Sequence, residues 1–248
     1  EDSSGNAGAS MSAYAANIGM KAHIFTPNST PENKKNQIKI FGSELHLIDG
    51  PRENSTIEVK KFTELTGINY LSHNYNPFFI EGMKSFGHEV FNEFHADITD
   101  IIIPVGNGSL LIGAVKAYEE LIKLKKISKM PKMHCIQVEG FSPIVKKFNS
   151  LEWKFNEFSK TLAGGIAVSN PPRLNQVVES IRNSKGKAIE VSEANILNWH
   201  KELASWGFLS EITCAAALAG TEKLIESGVI NEKSNIVIPI TGSGLKDL

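Results

Sequence analysis

The sequence predicts an α/β fold of two open, mostly parallel βα lobes. Three observations carry this. Short β-rich runs alternate with longer helical patterns. Several strand runs are continuously apolar, notably Ile101-Ile102-Ile103 and Ile236-Val237-Ile238, as suits strands covered on both faces. Helical stretches stop at glycines such as Gly19, Gly42, Gly67 and Gly228.

Taken in order, residues 6–18 are alanine-rich, the composition of a strong helix former. Strands are expected at 23–27, 44–48 and 68–71, with helices at 30–41 and 55–66 between them. A seam rich in Asn, Pro and Phe near 74–81 divides a smaller lobe, 1–78, from a larger one, 79–248. In the larger lobe a long helix over 79–94 precedes strands at 100–105, 133–138, 188–191 and 236–240. The helix over 108–126 ends in Lys123, Lys125 and Lys126, the charge sign a helix C-terminus favours. Further helices are expected over 171–183, with proline in its first turn, over 192–206, capped by Ser192, and over 211–227.

Composition narrows the function. The 248 residues are 41% hydrophobic and 21% charged, so the chain is globular and can bury a large core. A formal charge of -1 argues against nucleic-acid binding by bulk electrostatics. No run approaches 18 apolar residues, so no transmembrane helix is expected, and the opening residues show no charged leader. Cys135 and Cys214 lie far apart without CxxC spacing, which points away from a disulfide scaffold and towards a reducing, cytoplasmic setting. Seven histidines form no HExxH pattern, and no metal site is expected. His88 and His95, seven apart on one helix, fit a solvated face.

Three glycine loops carry chemical content. Ser3-Ser4-Gly5-Asn6-Ala7-Gly8 leads into the first helix and offers hydroxyls and free N–H groups to an anion. Pro104-Val105-Gly106-Asn107-Gly108-Ser109 follows a strand and opens a helix. It is neither GxGxxG nor GxxxxGK[ST], and a small phosphate-bearing ligand fits it better than a dinucleotide or nucleoside triphosphate. Thr241-Gly242-Ser243-Gly244-Leu245-Lys246-Asp247 again places glycines and hydroxyls after a strand, where α/β sheets gather ligands. Each loop alone is equally an ordinary cap or tight turn; the three together point to a bound ligand. Cys214 reads as a small core residue, and Glu211 as either a ligand-facing group or a helix cap.

With these loops the sequence resembles the threonine synthase family, within the tryptophan-synthase-β-like, fold type II pyridoxal phosphate enzymes. Asn76-Pro77 before Glu81-Gly82, Val138-Glu139-Gly140 before Pro143-Ile144-Val145, and Asn170-Pro171 fall in the family's order. The resemblance implies pyridoxal 5'-phosphate as cofactor. It would be held by Asn6 at the phenolic oxygen, by Gly106, Asn107, Gly108, Ser109 and Leu110 at the phosphate, and by Thr241 at the pyridine nitrogen. Ser3, Ser4, Asn6 and Ala7 would frame the substrate carboxylate. The implied reaction turns O-phospho-L-homoserine and water into L-threonine and phosphate, in a homodimer acting on a small amino acid. Phe78-Phe79 stand where many relatives place a basic residue for the substrate phosphate. The alternatives are a threonine or serine dehydratase, a cysteate-synthase-like β-replacement enzyme, or a non-catalytic module binding pyridoxal phosphate or an amino acid. The family's Schiff-base lysine precedes the Ser-Ser-Gly-Asn loop in a Phe-Lys-Asp context that no lysine here matches. The resemblance therefore implies a fragment whose N-terminal portion is missing, without a catalytic residue of its own and inactive alone.

Overall fold

The structure, a computed structural model, describes residues 1–3, 5–95 and 97–246. It divides into two compact units at Asn76 and Pro77. Unit 1 runs through α1 (Asn6–Asn17), β1 (His23–Pro27), α2 (Glu32–Lys39), β2 (Glu44–Ile48) and α3 (Arg52–Thr66). β1 and β2 pair in parallel, with His23 opposite Glu44 and Phe25 opposite His46. Residues 1–3 lie along the other edge of β1, bridging Asp2 to Phe25, with Ser3 N–H donating to Phe25 O. Ile24, Phe25, Ile38 and Val59 are buried.

The strand expected at 68–71 does not form. Both edges of β1 are already taken, by β2 and by residues 1–3, and Ile68 and Leu71 stay exposed. α3 instead ends at Gly67 in a left-handed turn (φ 72°), and the segment beyond it delivers the Tyr70 hydroxyl to Asp2.

Unit 2 contains α4 (Pro77–Phe94), β3 (Asp100–Pro104), α5 (Ser109–Lys123), β4 (Lys132–Val138), α6 (Pro143–Phe148), α7 (Leu174–Asn183), β5 (Ala188–Val191), α8 (Glu193–Ser205), α9 (Ile212–Glu226) and β6 (Ile236–Val237). Its strands form one parallel sheet in the order β5-β4-β3-β6. Consecutive side chains of β3 enter different cores. Ile101 and Ile103 pack with Leu111, Val115 and Val177, while Ile102 packs with the alanines of α9 from Ala215 to Ala219. Helices on both faces are the reason the run is apolar without alternation.

Two further departures have local causes. The last strand stops at Val237 rather than running to residue 240, because Pro239 has no N–H to continue a ladder. α6 is only six residues long, too short to show a helical period. It is started by Pro143 and by the buried Gln137, whose Oε1 accepts from the Ile144 and Val145 N–H groups at 2.9 and 3.2 Å.

α4 and α5 approach closely through small residues. A Cβ at Gly113 would lie 2.4 Å from Met83 Cβ and 2.7 Å from its carbonyl carbon. Gly113→Ala is therefore expected to destabilise the protein by about 1–3 kcal/mol, the usual cost of overpacking, read as a lower urea midpoint with an unchanged slope.

Candidate functional site

β3 and β6 are parallel neighbours, so the loops that leave their carboxyl ends emerge on one edge of the unit 2 sheet. The first loop is held by backbone and by Gln137. Val105 N–H donates to Ile136 O at 2.8 Å, and Gln137 Nε2 donates to Val105 O at 3.2 Å. α5 then begins at Ser109, with no side-chain cap and no acidic residue in its first turn. First-turn N–H groups have no intrahelical acceptor, and the helix end carries partial positive charge. Gly108 precedes them with φ 86°, and a Cβ there would lie 2.2 Å from Val177 Cγ2. A Cβ at Gly106 would lie 2.9 Å from Gly165 O and 3.1 Å from Val168 Cγ2. The two glycines are buried, while Asn107, Ser109 and Leu110 are partly exposed beside them. A loop that cannot hold side chains at these positions, with uncapped N–H groups beyond it, is a cradle for a compact anion.

The second loop is tied to the same place through the start of α9. Gly165, in a 3₁₀ turn at Gly164–Ile166, donates its N–H to Thr213 Oγ1 at 3.1 Å. The next residue, Cys214, puts its Sγ 3.5 Å from Thr241 Oγ1 and 3.6 Å from Gly242 O. Glu211 N–H donates to Gly242 O at 3.0 Å, and a Cβ at Gly242 would lie 2.1 Å from Glu211 Oε2. Ser210 and Ser243 form an antiparallel bridge, and Gly244 N–H donates to Leu209 O. One continuous line of contacts thus runs from Gly106 through Gly165, Thr213 and Cys214 to Thr241. Sequence reasoning found its two ends and missed its middle. The signal was the glycine pair Gly164-Gly165. Cys214 is buried, as a core residue should be, and it also touches the Thr241 hydroxyl.

The third loop belongs to unit 1. Ser3 is buried, its N–H bound to Phe25 O at 3.0 Å and its Oγ accepting from Gly5 N–H at 3.2 Å. α1 starts at Asn6 with Gly5 as an N-cap that makes no side-chain hydrogen bond. Asn6 is exposed and Ala7 half-buried; Ser4 lies outside the described residues. Gly8 sits against the β-layer, where a Cβ would be 3.2 Å from both Ile24 Cγ2 and Ser3 O.

Asp2 anchors this loop from beneath. Its carboxylate accepts from Arg52 Nη1 at 2.8 Å, Thr56 Oγ1 at 2.6 Å and the Tyr70 hydroxyl, while Arg52 Nη2 donates to Asp2 O at 2.6 Å. Burial alone would raise the Asp2 pKa, but hydrogen bonds from Thr56 and Tyr70 and the Arg52 charge outweigh it and hold the carboxyl below its ordinary value.

The whole chain bears a known signature. Residues 1–242 match the family of pyridoxal-phosphate dependent enzymes. Threonine synthase of Methanocaldococcus jannaschii is 31% identical over 250 residues, covering 99% of this chain and 62% of that protein. Threonine synthase of Bacillus sp. (strain ULM1) is 33% identical over 247 residues, covering 99% and 68%. Among solved structures, maize serine racemase superposes with a TM-score of 0.85 at 21% identity, over 98% of this chain and 72% of that one. The processed form of threonine deaminase isoform 2 from Solanum lycopersicum gives 0.82 at 21%, over 98% and 64%. These structural neighbours share the fold. The chain belongs to the pyridoxal-phosphate dependent enzymes of fold type II. Its curated relatives are threonine synthases, and it spans about three fifths of the length of the Methanocaldococcus one. The family's cofactor, pyridoxal phosphate, carries a compact dianion, and the uncapped N–H groups behind Gly106 and Gly108 suit it chemically. Among the described residues no helix is long and apolar enough to cross a membrane.

The Asp2 network has a pH signature. A carboxyl with a lowered folded pKa contributes stability that is complete above the unfolded value, near pH 4, and lost as pH falls through the folded one. Asp2→Asn is expected to cost about 1–3 kcal/mol at neutral pH. Urea midpoints measured from pH 6 to pH 2 should fall less steeply in the variant than in the wild type.

Proposed function

We propose that the chain is the cofactor-binding part of a threonine-synthase-type lyase, which converts O-phospho-L-homoserine and water to L-threonine and phosphate. One observation carries the reading: two glycine loops at the carboxyl ends of β3 and β6 are linked through Thr213 and Cys214, in a chain whose curated relatives at 31–33% identity are threonine synthases. Pyridoxal phosphate supplies the electron sink when bound. The protein's task is to grip, orient and tune it.

On this reading Gly106, Asn107, Gly108, Ser109 and Leu110 grip the phosphate through N–H and hydroxyl donors at the head of α5. Thr241 faces the pyridine nitrogen, its hydroxyl positioned by Cys214. A neutral hydroxyl there leaves the ring a milder acceptor than a carboxylate partner would, which suits elimination and replacement at the β- and γ-carbons. Asn6 donates to the phenolic oxygen. Ser3, Ser4 and Ala7, with Asn6, meet the substrate carboxylate at the start of α1, where partial positive charge favours an anion. None of the lysines in the sequence stands in a Phe-Lys-Asp context, and on this reading the enzyme is a cytoplasmic homodimer.

The test is an assay of the full-length protein with O-phospho-L-homoserine, L-threonine and O-phospho-L-serine in parallel. Threonine and phosphate formed in equal amounts from the first substrate are expected. Keto-acid release from threonine with no turnover of the first would overturn the assignment in favour of a dehydratase. Borohydride treatment of this chain with the cofactor should leave no fixed adduct at a single lysine; one stoichiometric adduct would show that the anchor lies within it. Two variants separate the loops. Gly108→Ala is expected to weaken cofactor affinity at least about tenfold, because side-chain substitution displaces the N–H cradle. Thr241→Ala should leave affinity nearly unchanged and lower kcat about tenfold, the worth of one hydrogen bond.

A further inference from the structure

Unit 1 contains a cluster that plays no part in the reading above. Register places His23 opposite Glu44 and Phe25 opposite His46, so these four side chains leave one face of the β1–β2 pair. His23 Nδ1 and His46 Nε2 stand 3.1 Å apart. The Glu44 carboxylate straddles them, Oε2 at 3.5 Å from His23 Nδ1 and Oε1 at 3.5 Å from His46 Nε2. From the three residues, one ligand atom each can be chosen so that all lie within 4.8 Å of one another. Two imidazole nitrogens at this separation share one proton in a hydrogen bond, and a shift of that proton to the donor ring's other nitrogen would leave both lone pairs facing a cation.

The rings are fixed from outside. Phe25 stacks on His46 with centroids 4.2 Å apart and planes 6° from parallel, and Phe62 of α3 packs against His23 and His46 at 4.9 and 5.4 Å. Both histidines are largely covered, whereas the Glu44 side chain is 66% exposed, leaving one side of the cluster to water.

We infer that His23, Glu44 and His46 form a binding site for a borderline-soft divalent cation of the Zn²⁺ class. Tetrahedral coordination with bonds of about 2.0–2.2 Å requires ligand atoms about 3.3–3.6 Å apart; His23 Nδ1 and His46 Nε2, 3.1 Å apart, approach one edge of such a tetrahedron, and each has a different Glu44 oxygen at 3.5 Å. Two imidazoles and a carboxylate favour Zn²⁺, Ni²⁺ or Cu²⁺ over Mg²⁺ or Ca²⁺. The fourth position opens towards solvent, beside Glu44. Bound there, the ion cross-links β1, through His23, to β2, through Glu44 and His46.

Calorimetric titration of chelator-treated protein with ZnCl₂ tests the site without reference to catalysis. One saturable site per chain is expected, with no response to MgCl₂ and a melting temperature that rises with Zn²⁺ concentration. His23→Gln should abolish it. Glu44→Gln, at an exposed position that the fold does not need, should weaken it at least tenfold with unchanged circular dichroism and metal-free melting temperature. Co²⁺ should give tetrahedral absorption bands in the wild type that both variants lose. Absence of stoichiometric Zn²⁺ binding, or equal binding by wild type and Glu44→Gln, overturns the inference.

Discussion

Parallel pairing of β3 with β4 on one side and β6 on the other fixes where every glycine loop of unit 2 can lie. Parallel strands send their carboxyl ends the same way, so Val105 to Gly108 and Thr241 to Gly244 must emerge on one edge. The pairing in turn depends on burial of both sheet faces. Ile101 and Ile103 are fully covered by α5 and α7 neighbours, and Ile102 by α9. The alanines of α9 let that helix lie close enough for its first turn to reach the second loop. Thr213 and Cys214 therefore reach Gly165 and Thr241 because Ala215 to Ala219 pack against the sheet.

The opposite end of the same sheet is held by a buried polar pair. His134 Nε2 lies 2.8 Å from Asp100 Oδ1, and its Nδ1 accepts from Lys187 N–H at 3.2 Å. An accepting Nδ1 leaves the proton on Nε2, so the imidazole donates to Asp100 as a neutral ring. Burial pushes the Asp100 carboxyl up, and hydrogen bonds from His134 and Thr99 pull it below its ordinary value. Each of these contacts joins neighbouring strands or their flanks. A slip of β3 against β4 would leave Asp100 buried without its partners, so the pair specifies register more than it adds stability.

What could be read from the sequence follows from how local each signal is. The apolar run of β3 and the alanine-rich helices α1 and α9 announced themselves within windows of five to fifteen residues. Ser192 was legible as a cap, and its Oγ accepts from Asn195 N–H. The segment 68–71 misled because strand composition says nothing about whether an edge is free to receive it. β6 ended early because of one proline. Gln137, lying in a strand, caps α6 and supports Val105, a role visible only after folding. His23, Glu44 and His46 likewise show no motif spacing, since their proximity arises from strand register.

Gly106 and Gly108 illustrate a wider consequence. Their place is set by neighbours that leave no room for a Cβ, Gly165 O and Val177 among them. The shape of this loop is thus written in backbone. A chain built this way can drift over most of its length and still keep the same backbone path. At 21% identity to maize serine racemase, the chain shares that protein's fold with a TM-score of 0.85. Diversification of chemistry then needs only new side chains at the rim, not a new scaffold.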